Sequence, residues 1–273
     1  MSSSEPHLPD AQPVASADGE PQAQDGAAER QRALRDRLLL LLAAVAGYTD
    51  AISYVALGNI FAANMTGSTV LLGLSLAQGH RAFALRAGTA LAGFLVGVAS
   101  GSTLIRRRVS GRIWPRAVTL ALAVEVGVMA LFSALGILLG TRDQHGVVYL
   151  LIALAACAMG IQSAAVRSLG VADISTTYLT GTWVALMAGL SRHVRAKVEA
   201  QVEPERHAPL PSIDPQKRDA ALLLVYAIAA VLCGLLINAG ADVGTRVALL
   251  PLAPALAVVV GIATRAFRPS APR

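Results

Sequence analysis

Two carboxylates and two Thr-Gly pairs are the groups in this 273-residue chain best suited by type and position to do chemistry. Asp50 falls inside the apolar run 38–57 and Glu125 inside LALAVEVGVMALF. An ionisable group is costly to place in such a segment and is a functional candidate for that reason. Thr66-Gly67 stands in ANMTGSTVLLG (63–73) and Thr180-Gly181 in TYLTGTWVAL (177–186), each just before a short apolar run. A helix starting at either Thr exposes its first N–H groups and the positive end of its dipole. Gly67 and Gly181 remove a side chain where another backbone or a ligand can come close. Thr66, Ser68, Thr69, Thr180 and Thr182 supply hydroxyls. Together these groups can receive a small polar or anionic solute, with Asp50 or Glu125 carrying a coupling proton. A packing reading stands beside this one: Thr hydroxyls in membrane helices bond their own backbone, and Gly marks tight helix contact.

The two Thr-Gly stretches echo one another and suggest a duplication. Aligning Gly58 with Gly170 sets Asp50 opposite Gln162, with a two-residue insertion before the second Thr-Gly, so each copy offers one polar group at the same level. Asp50 can carry a proton or cation, or hold hydroxyls and backbone freed at a broken helix. Glu125 has no basic residue within a turn on either side, so it must find a partner across the bundle, take up a proton, or face water. Asn59, Asn64 and Tyr178 lie on the approaches to the short runs, where they can cap freed N–H groups or line a pathway. Arg167 and Asp173 flank the end of an apolar run and are expected to pair with each other.

The elements that must position these residues follow from composition. Hydrophobic residues make up 55% of the chain and charged ones 15%, against roughly 25% charged in soluble domains, and mean hydropathy is +0.57. Apolar runs long enough to cross a bilayer, roughly 20 residues each, lie at 38–57, 85–105, 117–139, 147–169, 219–240 and 246–266. Two shorter runs, about 65–78 and 180–191, follow the Thr-Gly pairs. The expected fold is therefore all-α, a polytopic membrane bundle of about six spans plus two short, re-entrant helices. Residues 1–29, with six acids and no Lys or Arg, read as a disordered tail. Residues 30–267 form the membrane domain, with repeats at about 38–139 and 147–266 and a cytoplasmic linker at 192–218; residues 268–273 are a tail. Gly93, Gly97 and Gly101 make a small-residue stripe for close helix packing.

Basic residues choose between topologies, because cytoplasmic loops are enriched in them. Clusters precede the first span (Arg30, Arg32, Arg35, Arg37), fill the acid-free loop RRRVSGRIWPR from Arg106 to Arg116, occupy 192–218 and recur at the C-terminus. If both short elements cross, that five-Arg loop faces out. If each enters and leaves on one side, all four clusters face the cytoplasm, with both termini, and the second repeat is inverted relative to the first. Inverted repeats with broken helices recur in transporters, with the site near the midplane.

The run GYTDAISYVALGNIFAANMTGSTVLLG from Gly47 to Gly73, with GIQSAAVRSLGVADISTTYLTG from Gly160 to Gly181, resembles the YoaK family of uncharacterised bacterial membrane proteins over most of residues 38–266. The likeness lies in the Gly-x-x-Asp-Ala start, the Asn-Met-Thr-Gly centre, and the Gly-x-Gln and Thr-Thr-x-x-Thr-Gly of the second half. One departure is Ser68, where the family usually has Asn, so a hydroxyl replaces an amide. The resemblance implies a small permease-like protein of the bacterial plasma membrane and carries no established activity. No phosphate loop, His-Glu-x-x-His or Gly-x-Ser-x-Gly is present, so an enzyme is not expected, and neither a cofactor nor a bound metal. The sparse Cys157 and Cys233 lie in apolar runs. Expected partners are the lipid bilayer, a small polar solute and a second copy of the chain, but no nucleic acid. The functional expectation is a secondary transporter or channel with Asp50, Asn64, Thr66, Gly67, Ser68, Gln162, Thr180, Gly181 and Thr182 along the solute path and Asp50 or Glu125 coupling. The alternative is a non-transporting membrane scaffold or partner-binding subunit.

Overall fold

The computed structural model describes residues 19–106, 113–140, 145–170, 179–202, 214–238, 249 and 252–267. Arg107, Arg108 and Arg112, Asp173 and Tyr178, the middle of the expected linker (203–213) and the two chain ends lie outside the described residues. Among the described residues eight helices follow one another: α1 Gly19–Ala56, α2 Met65–Ala77, α3 Arg81–Arg106, α4 Arg116–Leu139, α5 His145–Ser168, α6 Leu179–Val202, α7 Asp214–Asn238 and α8 Leu252–Ala266. No strand occurs among the described residues.

Among the described residues, five helices contain stretches long and apolar enough to cross a bilayer: Gly26–Ala56, Arg81–Ile105, Arg116–Leu139, Gly146–Ser168 and Asp214–Asn238. The sixth expected span appears as α8, described over only 15 residues, or about 22 Å at 1.5 Å per residue. The outer surface carries exposed Val70, Leu95, Leu138, Val184 and Leu235. Such a surface is an aggregation hazard in water and the expected exterior in lipid, where helices satisfy their own backbone. At the centre stand α1 and α5, whose apolar windows are 61% and 67% buried, against 22–33% for α3, α4 and α7.

Two expected boundaries move. Helix α1 begins at Gly19, so residues 19–29 continue the first helix rather than ending a disordered tail; Ala27, Ala28 and Glu29 favour helix and run without a breaker into the Arg-rich turn. Helix α6 is 24 residues long and extends to Val202, well past the short element expected at 180–191 and into the expected linker. Its apolar part still ends near Leu190; beyond it Arg195, Lys197 and Glu199 are exposed helix formers, with Arg195 and Glu199 one turn apart. Hydropathy marks where a segment leaves lipid, whereas helix propensity sets where it stops being helical.

Helix α1 packs against α7, α8 and α5; α5 packs against α3 and α4; α2 lies on α3, α6 on α7 and α4 on α8. The directions of three pairs can be read from their contacts. In α3 and α5, Gly93 meets Ala153, Gly97 meets Cys157 and Gly101 meets Ile161, so the two run the same way. A Cβ at Gly97 would strike the Cys157 carbonyl oxygen, and one at Gly160 the Phe94 oxygen, so backbones touch directly here. Helices α1 and α7 also run together, with Asp36 beside Arg218 (3.9 Å) near one end and Asp50 beside Tyr226 (2.5 Å) further along. Helices α4 and α8 oppose: Trp114 stacks on Phe267 at 5.4 Å, and Gly136 meets Leu249.

Candidate functional site

Helix α1 stops at Ala56, and Gly58 just beyond it adopts φ +90, a left-handed geometry that a side chain resists. The chain then turns back as an irregular stretch whose Leu57, Ile60, Ala62 and Ala63 are all buried. Backbone buried outside a helix needs hydrogen-bond partners from elsewhere, and Asp50 supplies them. Its side chain is 3% exposed. Oδ1 accepts from the backbone N–H of Ala63 (2.6 Å) and of Asn64 (3.4 Å), while Oδ2 accepts from the hydroxyl of Tyr226 on α7 (2.5 Å). One carboxylate thus joins α1, the approach to α2 and α7.

Helix α2 starts against this staple. Asn64 is its N-cap, its Oδ1 accepting from Gly67 N–H at 3.2 Å. Ser68, fully buried, donates from Oγ to the Phe61 carbonyl at 2.8 Å. A Cβ on Gly67 would lie 2.9 Å from the Phe61 ring and 3.1 Å from the Asn64 amide, so the glycine makes room for the cap. Thr66 is exposed, and the Thr69 hydroxyl donates to the Met65 carbonyl of its own helix at 2.8 Å.

The second Thr-Gly is built differently. Thr180 and Gly181 are exposed on the first turn of α6, and nothing lies within 4 Å of a Cβ added at Gly181. Thr182 is buried, as is Ser68, which stands in the same place relative to its own Thr-Gly. Gln162 on α5 is fully buried and donates from Nε2 to the Leu42 carbonyl of α1 at 3.1 Å. Helix α5 ends as α1 does, with Gly170 at φ +61. Since α2 lies on α3 and α6 on α7, no extended α2–α6 interface exists among the described residues. The structure therefore gathers Asp50, Asn64, Gly67 and Ser68 into one cluster, leaves Thr66 and Thr180 on the outside, and keeps Glu125 apart.

Glu125 is fully buried on α4, and neither carboxyl oxygen has a hydrogen-bond partner among the described residues. Its neighbours one turn away, Ala121, Leu122 and Met129, are apolar and fully buried. Ser133, two turns along the same helix, likewise has an Oγ without a partner among the described residues.

Tyr226 was not singled out from the sequence, although a lone phenol in the apolar run of α7 was a usable signal, because a buried Tyr hydroxyl needs a partner. The Asp36, Arg218 and Asp219 cluster at the base of α1 and α7, with contacts of 3.8–3.9 Å, was also not anticipated.

A family model described as "Protein of unknown function (DUF1275)" matches residues 38–262. The UPF0700 transmembrane protein YoaK of Bacillus subtilis (strain 168) is 41% identical over 159 residues, covering 58% of this chain and 68% of that protein. No solved structure matches the chain. A helical bundle with several membrane-length apolar helices, a family match from the first span into the last helix, and this degree of identity agree: the chain is a membrane protein belonging to the DUF1275 family, in which YoaK stands.

Proposed function

We propose that the protein is a secondary transporter or channel for a small polar solute in the bacterial plasma membrane, built as an inverted repeat of six spans and two re-entrant helices with both termini cytoplasmic. The observation that carries this reading is the non-helical stretch 57–64, whose Leu57, Ile60, Ala62 and Ala63 are buried, held by Asp50 and followed by a capped helix start at Met65. Broken elements of this kind at membrane depth are tolerated where they are enclosed by protein or line a cavity, and in transporters they present helix ends to solute.

The helix directions support the topology by parity. If α2 and α6 both crossed, α4 and α8 would run the same way. If only α6 crossed, that pair would again be parallel; if only α2 crossed, α1 and α7 would oppose. With neither crossing, α1 runs with α7, α3 runs with α5, and α4 opposes α8, in agreement with the observed contacts. Exchanging α1–α4 with α5–α8 also carries the α1–α7 packing onto α5–α3, α2–α3 onto α6–α7, and α4–α5 onto α8–α1, all of which occur. Asp50 and Gln162 then occupy matching levels in the two halves.

A scaffold role is the second reading, favoured by one observation: Asp50, Asn64 and Ser68 are each engaged in hydrogen bonds within the chain itself. Two measurements separate the readings. A lone cysteine at Ser110, with Cys157 and Cys233 removed, should label only from the cytoplasm; labelling from outside would reject the six-span topology. In proteoliposomes screened with small polar solutes, a solute-evoked and pH-dependent flux should appear and be abolished in Asp50→Asn. Absence of any flux across the panel would favour the scaffold, and unchanged flux in Asp50→Asn would remove the coupling role.

A further inference from the structure

A cleft of about 360 Å³ opens between the first half of α4 and the second half of α8. Leu120 and Val260 form its apolar walls, and Ala263, 1% exposed, its floor. Leu120, Ala123 and Thr264 are exposed, so the cleft lies on the outer face of the bundle, where a membrane protein meets acyl chains. One end is closed by the Trp114–Phe267 stack, with the Trp114 indole N–H donating to Thr119 Oγ1 at 2.9 Å. Trp114 itself is only 2% exposed, tucked behind Phe267 and Thr119 at that end. Arg116 lines the same end and is exposed, as is Arg265 on α8.

We propose that this cleft binds an anionic phospholipid, with an acyl chain between Leu120 and Val260 and the phosphate at Arg116. Charge selects the occupant. The sequence from Arg106 to Arg116, RRRVSGRIWPR, has five Arg and no acid, and basic pockets between membrane helices bind anionic headgroups. A second copy docked face to face would set Arg116 against Arg116, and a soluble peptide would have to enter lipid to reach Leu120. The inference rests on the chain's being a membrane protein and not on whether it transports.

The chain has two tryptophans, so Trp183→Phe leaves Trp114 as the sole reporter at the cleft. In detergent micelles doped with phosphatidylglycerol or phosphatidylcholine carrying brominated acyl chains, Trp114 fluorescence should be half-quenched at about fivefold less phosphatidylglycerol, the scale of one basic residue near an anionic surface. Arg116→Gln should abolish that preference and Arg116→Lys should keep it, with circular dichroism and gel filtration confirming the fold of each. Ala123→Leu, filling the cleft from an exposed position, should reduce quenching by both lipids. Equal quenching by the two lipids, a preference that survives Arg116→Gln, or quenching undiminished in Ala123→Leu would overturn the proposal.

Discussion

Asp50 and Glu125 are both carboxylates set deep in apolar helices, yet their surroundings are opposite. Asp50 stands where α1 is about to break, and both its oxygens are engaged by Ala63, Asn64 and Tyr226. Glu125 stands in the middle of an unbroken α4 with no partner for either oxygen among the described residues. Burial alone therefore does not assign a role. A carboxylate that accepts otherwise stranded backbone N–H groups contributes to the fold, whatever else it does. One that leaves its own oxygens unpartnered costs stability and is retained for another reason, function being the default in a membrane.

The sharpest way to break this contrast is Asp50→Ala. It strands two backbone donors and the Tyr226 hydroxyl, at about 1–3 kcal/mol for each buried group left without a partner. Most of the protein should be lost from the monodisperse peak in detergent, or its unfolding temperature should fall steeply; wild-type behaviour would mean that Asp50 holds nothing. Tyr226→Phe removes a single donor and should cost roughly 1–2 kcal/mol, seen as a moderate drop on heating with the helix content unchanged. Glu125→Leu should be neutral or stabilise the fold by up to roughly 1 kcal/mol, read as an unchanged or raised unfolding temperature, since a buried carboxyl group without a partner is replaced by packing. A fall as large as that of Tyr226→Phe would show that Glu125 has a partner after all. The smallest effect belongs to Thr66→Val, within about 0.5 kcal/mol for an exposed position. If that variant nevertheless lost activity in an assay where Asp50→Asn had been shown to fold, the hydroxyl would belong to a solute path and not to packing.

Much of the scaffold was legible beforehand. The apolar runs at 85–105, 117–139 and 147–169 coincide closely with α3, α4 and α5, because a bilayer imposes a length on each helix that is written locally in its residues. The Gly93, Gly97 and Gly101 stripe was readable as a contact surface for the same local reason, and it packs on α5. The ends of α1 and α6 were not, since polar residues can prolong a helix beyond the membrane at little cost. At the candidate site, the sequence placed the hydroxyls of Thr66, Ser68, Thr180 and Thr182 near the two helix starts without ranking them; in the structure Ser68 and Thr182 are buried and Thr66 and Thr180 exposed. Spacing says which residues are near a helix start; which face of that helix is turned inward depends on its neighbours.

The sequence by itself determined that this is an all-helical membrane protein and where its principal spans fall, because hydropathy and charge are properties of neighbouring residues. Only the tertiary structure decided what Asp50 touches and which helices run together. The hydroxyl on Oδ2 comes from a residue 176 positions away, and the directions of α4 and α8 follow from contacts such as Trp114 on Phe267. Such pairings arise when separately formed helices pack, and no local pattern encodes which faces will meet.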